Sequence, residues 1–199
     1  LESELEIGMR VDVTGTVSDN GRTGEATGLV FDADVEGPIE SIDPIGNDGE
    51  RLEIMVLGQR ITVDRSLTSF DDADAGFGFD TMMVDDLIEV SGLRDGAGDI
   101  VATYIEKEGV LSLNSSEVEF KGSIEEFDDV DTFVINGITV TFDNMTDLSD
   151  LPGGVVNGAY VEVEGILNTA STVTATEIEE ENEGLDDDVD DAEMEGFVA

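Results

Sequence analysis

Hydrophobic and polar residues alternate along short segments of this chain, and each segment ends in Gly, Asn or Asp. Alternation with a period of two, bounded by turn residues, is the pattern of β-strands that bury one face. In the second half of the chain it predicts five strands, at 118–127, 131–136, 138–143, 159–167 and 172–179.

The turn between the second and third of these strands is predicted by Asn136-Gly137. This pair favours a two-residue hairpin turn, because both positions accept positive φ. Between the third and fourth strands, residues 144–158 contain Pro152-Gly153-Gly154. We expect this segment to form a short helical turn or a capped loop.

The same order of segments occurs earlier in the chain. Strands are predicted there at 36–43, 51–57, 59–64, 87–93 and 100–106, with a longer Gly- and Asp-rich loop at 66–86. The turn glycines Gly58 and Gly137 are 79 residues apart, and the fourth-strand glycines Gly15, Gly92 and Gly165 follow one another at 77 and 73 residues. Such regular spacing indicates duplication. Leu57 stands where the second copy has Asn136, which leaves the type of the first hairpin open.

Partial copies flank the two complete ones. The N-terminal piece carries the fourth and fifth strands, at 9–17 and 24–31, and the C-terminal piece carries the first strand, at 193–198. Together they lack the second and third strands, so we expect that they cannot complete a domain and that the natural chain continues in both directions. The alternative is strand exchange with a neighbouring copy.

Three strands, a short helical or loop element and two more strands is the order of the OB fold, a small Greek-key barrel. We therefore predict an all-β protein of tandem OB-like barrels. The predicted units are the C-terminal half of a truncated repeat at 1–35, complete barrels at 36–110 and 117–182, and an acidic linker with the first strand of a further repeat at 183–199.

Four short motifs carry a family resemblance. They are Val-Glu-Gly-x-Ile in strand one (35–39), Asn-Gly-x-x-Val at the hairpin (136–140), Val-Glu-Val-x-Gly in strand four (161–165), and Ala-Thr-x-Ile-Glu in strand five (102–106 and 175–179). The chain resembles, over nearly its whole length, a bacterial family of exported, OB-like domains of unknown function that often occur in tandem. The resemblance implies this architecture and a place outside the cell or on its surface; it implies no activity.

The charge of the chain is extreme. Fifty Asp and Glu oppose eight Lys and Arg, with no His and no Cys, for a net charge of -42. Repulsion on this scale destabilises a compact chain unless cations screen or bridge it. Two interpretations stay open: an extracellular protein that depends on divalent cations, and a solvated acidic surface suited to a salty habitat.

The composition also argues against several classes of function. Nucleic acid is disfavoured as a partner, because phosphate binding requires Lys and Arg. No apolar run approaches ~18 residues, so we expect no membrane span. Without His and Cys there is no imidazole base, no thiol nucleophile and no typical zinc ligand set, and we expect no enzyme.

Calcium suits this composition, because it takes roughly six to eight oxygen ligands from Asp, Glu, Asn and backbone carbonyls on flexible loops. The candidate ligands lie in Asp-rich loops between strands one and two, after strand three, and in the linker. They are Asp43, Asn47 and Asp48; Asp128, Asp129 and Asp131; Asp71, Asp72, Asp74 and Asp80; and Asp186, Asp188 and Asp190. No EF-hand motif is present, since Asp191 and Phe197 occupy the positions of its Gly and Glu.

These observations predict a non-enzymatic, extracellular structural or fibre-forming repeat protein that calcium rigidifies by bridging acidic loops. Its expected partners are copies of itself, joined head to tail or by strand exchange. The alternatives are an extracellular binding module for a glycan or a protein, and an acidic surface protein of a salt-adapted organism. OB barrels commonly bind oligosaccharides on their strand two–three face, but the chain offers only Tyr104 and Tyr160 and no Trp.

Overall fold

The computed structural model describes residues 5–17, 23–71, 76–128, 130–181 and 192–198, with only the backbone at 12, 17 and 192–195. These residues form strands and turns, and no helix among them could cross a bilayer. The strands are β1 Arg10–Val17, β2 Gly24–Phe31, β3 Val35–Pro44, β4 Arg51–Val56, β5 Gln59–Asp64, β6 Ser69–Phe70, β7 Asp86–Arg94, β8 Ile100–Val110, β9 Glu117–Ser123, β10 Thr132–Ile135, β11 Ile138–Thr141, β12 Tyr160–Thr169, β13 Thr172–Glu180 and β14 Ala192–Phe197.

The first barrel is a closed circuit of five strands. β3 pairs with β4, β4 with β5, β5 in parallel with β8, β8 with β7, and β7 returns to β3. Counted along the unit, this is the spatial order one-two-three-five-four. The long loop after strand three contains β6, which lies parallel to β8.

The second barrel repeats this circuit with β9 to β13. β9 pairs with β12, β12 with β13, β13 in parallel with β11, and β11 with β10. A bridge between Glu125 and Val134 closes the ring between strands one and two. The prediction of tandem OB-like barrels is confirmed, and the element between strands three and four is a loop in both units.

The two hairpin turns adopt the same type despite their different sequences. Leu57 and Gly58 have φ of 45° and 69°, and Asn136 and Gly137 have φ of 51° and 83°. Positive φ at both central positions defines a type I′ turn. Leucine is strained in this conformation, but the Leu57 side chain is fully buried and lies against Gly37, which has no side chain to obstruct it. The burial of Leu57 compensates for the strain.

The two barrels are joined directly by their first strands. Val35 pairs with Phe120 and Glu36 with Glu119 in an antiparallel bridge between β3 and β9. Val35 and Phe120 point inward, and the buried residues of both barrels form one contiguous hydrophobic cluster. We call this contact the barrel joint. Strand pairing and a continuous core hold it together; the bridging of acidic loops by calcium, which the sequence led us to expect, stays a prediction.

The partial copies at the two ends pair with each other in a third sheet, in the order β14-β1-β2. Val11 pairs with Gly196, just as Ile88 pairs with Gly37 and Val161 with Gly122 in the complete barrels. A bulge precedes the fourth-strand glycine in all three units, Gly15, Gly92 and Gly165. The third sheet therefore has the register of strands one, four and five of a barrel.

Tyr104 covers the inner face of this third sheet. It projects from β8 of the first barrel, is buried with Met9 and Val11, and meets Phe31 edge to face at 6.3 Å between ring centroids. A hydrogen bond from the Thr103 hydroxyl to the Gly8 carbonyl, 2.7 Å long, fixes the same contact. The third sheet is thus anchored to the outside of the first barrel.

Candidate cation-binding surface

Six glutamates lie opposite one another across six neighbouring strands. Glu106 pairs with Glu89, Glu89 with Glu36, Glu36 with Glu119, Glu119 with Glu164, and Glu164 with Glu177. Residues directly opposite in antiparallel strands point to the same side of a sheet. We call this row the glutamate ladder; it runs from the first barrel, across the barrel joint, into the second.

The ladder arises because successive side chains along a strand point to opposite faces of the sheet. In β3 and β9, Val35 and Phe120 face the core, so their neighbours Glu36 and Glu119 face outward. Directly opposed like charges destabilise a pair of strands. The ladder is therefore a surface on which the fold itself accumulates negative charge.

Burial, together with neighbouring carboxylates, raises the pKa values of several ladder carboxyls. Burial, reinforced by Glu108, Glu117 and Glu164, raises the pKa of Glu36 to about 7. Burial, followed by the charges of Glu36 and Glu108, raises the pKa of Glu89 to about 8.

The neighbouring ladder positions shift in the same direction. Burial and a hydrogen bond with Glu162 raise the pKa of Glu119, and burial also raises the pKa values of Glu106 and Glu164. The ladder therefore favours bound protons near neutral pH.

Three groups of carboxylates come close enough to share an ion, and each of them includes at least one ladder residue. In each group the ligand oxygens lie within 4.8 Å of one another. The groups are Glu89, Glu106 and Glu108 in the first barrel; Asp150, Glu177 and Glu179 in the second; and Asp32, Glu119 and Glu162 at the barrel joint. Oxygen-only sets of this kind suit hard cations such as Ca²⁺.

The carboxylates at the barrel joint are already paired with basic side chains of the protein. The Lys121 ammonium is almost fully buried and lies 2.7 Å from Asp32, 3.1 Å from Glu162 and 3.3 Å from Glu181. Burial disfavours the charge of Lys121, but these three carboxylates outweigh it and raise its pKa. The amine is held as an ammonium ion at physiological pH.

Arg10 completes the same network from the third sheet. Its guanidinium lies 2.9 Å from Asp32 and 3.0 Å from Asp34. Asp34 is buried, which raises its pKa although Arg10 and a hydrogen bond from the Gly92 amide, 2.8 Å long, favour its ionised form. We call Arg10, Lys121 and their carboxylate partners the counter-ion cluster. It connects both barrels and the third sheet.

The predicted loop ligands that the structure describes lie elsewhere. Asp43, Asn47 and Asp48 are exposed at the end of β3 and in the turn that follows, and Asp71 follows β6. Asp80 forms a two-pronged ion pair with Arg65 at 2.7 and 2.8 Å, which lowers the pKa of Asp80.

In the second barrel, Asp128 accepts hydrogen bonds from the amides of Val130, Asp131 and Thr132, and these lower its pKa; Asp131 is exposed beside it. Among the described residues, none of these loop side chains belongs to a carboxylate triplet. Asp72, Asp74, Asp129, Asp186, Asp188 and Asp190 lie outside the described residues. Calcium binding by the loops stays a prediction.

The sequence interpretation missed both the ladder and the counter-ion cluster. A signal for the cluster was present in the repeat: Val35-Glu36-Gly37 in the first copy corresponds to Phe120-Lys121-Gly122 in the second. A lysine on the outer face of strand one, in a chain with eight basic residues, marks a position with a specific partner. The ladder itself depends on the pairing between barrels, which the pattern of one strand does not reveal.

Comparison with known proteins agrees with the fold. A family model described as a domain of unknown function, DUF5666, matches residues 36–106 and again 121–179. The chain belongs to the DUF5666 family. Its two matches coincide with the two complete barrels, so the duplication inferred from spacing is a duplication of this domain. The family assignment says nothing of location or source, and the exported, bacterial character implied by the motifs remains a prediction.

Other comparisons add little. No curated protein is significantly similar in sequence. One solved structure, a deletion mutant of the single-stranded DNA binding protein from Thermus aquaticus, is 13% identical, with 90% of this chain and 97% of that chain covered and a TM-score of 0.23. Similarity this low supports no argument about what the DUF5666 protein binds.

Proposed function

We propose that this DUF5666 protein is a non-enzymatic structural segment of an extracellular repeat protein, in which calcium neutralises the glutamate ladder and stiffens the barrel joint. The observation that carries the proposal is the course of the ladder. Six glutamates in register cross from one barrel to the next, so a cation bound there acts on the contact that fixes one barrel against its neighbour.

Opposed carboxylates weaken the strand pairs that carry them, and a cation that binds only the folded arrangement stabilises it by mass action. Extracellular calcium modules often have Kd values of roughly 0.1 to 1 mM. A hundredfold excess over Kd adds about 2.7 kcal/mol to the free energy of unfolding. External calcium would then set the stiffness of a chain of barrels.

Self-assembly is the second part of the proposal. In the third sheet, β14 and β2 are edge strands within the described part of the chain, and such edges accept strands from other molecules. We propose copies of this chain as the partners, joined head to tail or by strand exchange. A surface with so few basic residues is poorly suited to nucleic acid.

The test is thermal unfolding with calcium chloride against sodium chloride at equal ionic strength. The proposal predicts a rise in Tm with calcium that sodium does not reproduce. A double variant, Glu36→Gln with Glu119→Gln, should lose most of the calcium response. The matched control, Asp43→Asn with Asp48→Asn, removes the same charge from the end of β3 and the turn that follows, and it should keep the calcium response.

Two results would count against the proposal. Equal responses to calcium and sodium would indicate an acidic surface adapted to salt. Loss of the calcium response in the loop variant, with the ladder variant unaffected, would place the cation in the loops as the sequence first suggested.

A further inference from the structure

A groove of about 560 Å³ lies between the two barrels. The first barrel contributes its β4–β5 hairpin and its β7–β8 turn, and the second contributes β9, the β10–β11 turn and the start of β12. The volume falls within the range of sites for small ligands. The two hairpins are in close contact beside it, since a Cβ atom on Gly58 would overlap the carbonyl oxygen of Asn136. The groove therefore depends on the barrel joint.

The charge of the groove differs from that of the rest of the molecule. The residues that line it include three basic ones, Arg60, Arg94 and Lys121, and three acidic ones, Asp95, Asp99 and Glu125, and the ammonium of Lys121 is bound within the counter-ion cluster. Their formal charges cancel, in a chain of net charge -42. The field of the whole protein repels anions, and cations have far more acidic surface to occupy. A neutral ligand is the class that this groove favours.

Contacts with neighbouring residues fix the position of the Arg94 guanidinium. Its Nη1 donates to the Gln59 side-chain oxygen at 3.0 Å and to the Gly98 carbonyl at 3.3 Å, while its Nε lies 3.7 Å from Asp34. Its Nη2 is buried and has no hydrogen-bond partner among the described residues. Such a donor is costly to leave without an acceptor; because Nη2 is shielded from solvent, a ligand oxygen reaches it only when the Arg94 side chain turns towards the groove.

Acceptors and an aromatic ring complete the lining. Asp99 lies 3.7 Å from the Arg60 Nε, which places an acceptor beside a donor in the groove. Tyr160 lines the groove with a half-buried side chain, and Asn136 lies at its floor, where its amide donates to the Lys121 carbonyl. Sugar hydroxyls both donate and accept, and a pyranose ring offers an apolar face to an aromatic one.

We propose that this groove binds a neutral saccharide, with Arg94 and Arg60 donating to its oxygens and Tyr160 contacting its ring. The site is distinct from the glutamate ladder, because none of the six ladder glutamates lines it. It also differs from a glycan site on a single barrel, since residues of both barrels line it.

The test uses neutral hexasaccharides of glucose, xylose and N-acetylglucosamine at millimolar concentrations, without calcium, with saturation-transfer NMR as the readout. At least one should bind. Arg94→Gln should weaken that binding by about tenfold or more, the size expected for losing a hydrogen bond from a charged group. Arg60→Gln, at a half-exposed side chain, should weaken it as well.

Arg51→Gln is the matched control, because Arg51 is exposed on β4 and does not line the groove; its saccharide binding should equal that of the unaltered chain. Three results would overturn the proposal: no neutral hexasaccharide binds, binding persists unchanged in both groove variants, or only acidic oligosaccharides bind.

Discussion

Glu36 faces Glu89 across β3 and β7 of the first barrel, whereas Lys121 faces Glu162 across β9 and β12 of the second. These are equivalent positions of a duplicated domain. In one copy two carboxylates oppose each other and their pKa values rise; in the other a buried ammonium ion satisfies the same site. The backbone tolerates both solutions, so the fold is set by the inward-facing residues, and the outward pair is free to serve another purpose.

Among changes at these two pairs, removal of the lysine should have the largest effect on the free energy of unfolding. Lys121→Met would leave Asp32, Glu162 and Glu181 without their ammonium partner. Breaking a buried ion pair from one side costs about 3–5 kcal/mol, and urea unfolding should show a loss of that size. Arg51→Met removes an exposed charge of the same sign and should change stability by less than about 0.5 kcal/mol. Equal effects in the two variants would refute a special role for Lys121.

The two hairpin glycines should respond unequally to one methyl group. Both have positive φ, so Ala at either position incurs the left-handed penalty of about 1–2 kcal/mol. At Gly58 the new Cβ would also overlap the Asn136 carbonyl across the barrel joint, whereas at Gly137 it meets nothing within 4 Å. Gly58→Ala should therefore cost about 1–3 kcal/mol more than Gly137→Ala, measured by denaturant unfolding. Similar losses would mean that the hairpins do not pack against each other.

A single substitution can give the first barrel the opposite-charge pair that the second barrel has at the equivalent position. Glu36→Lys replaces a like-charge pair by an opposite-charge one and should stabilise the protein by about 1 kcal/mol. The control is Glu25→Lys on β2, an exposed position opposite Thr16, which makes the same change of net charge. If both variants gain equally, the benefit comes from the overall charge and the cross-strand pair is irrelevant.

The smallest expected effect is a dependence on pH. The carboxyls of Glu36, Glu89 and Glu179 have folded pKa values of about 7, 8 and 7, above the ordinary 4.5. Their protonated forms are favoured by the fold, so their contribution is greatest below pH 4.5 and is lost as the pH rises towards 8.

Thermal unfolding between pH 5 and pH 8 should therefore show a falling Tm, and Glu89→Gln should flatten the decline. The equivalent Glu162 is paired with Lys121, so Glu162→Gln should lower stability, and it should flatten the slope less than Glu89→Gln because Glu162 is only a secondary cause of the raised pKa of Glu179. A Tm that rises over this window would contradict the raised pKa values.

The inward-facing pattern made most of the fold predictable. The segments at 24–31 and 59–64 match β2 and β5 residue for residue, and Asn136-Gly137 forms the expected turn. At Leu57 the local preference was ambiguous and tertiary burial decided the turn. The pairing of β1 with β14 was not expected within one chain, although the repeat alignment contains its register.

The candidate site was harder to predict from the sequence than the fold. Dense Asp runs such as 71–74 attract attention because acidic residues adjoin there along the chain, whereas the ladder draws one glutamate from each of six strands. Carboxylates brought together by strand pairing leave no local motif. The Glu36 and Lys121 difference between copies was the one local sign of this surface.

The most direct test is a calcium titration followed through the side-chain carboxyl carbons by NMR. If the ladder is the cation-binding surface, the signals of Glu36, Glu89, Glu106 and Glu119 should shift first and together, and sodium at equal ionic strength should not reproduce the change. Earlier shifts at Asp43, Asp48 and Asp128, or uniform shifts that sodium matches, would contradict the account.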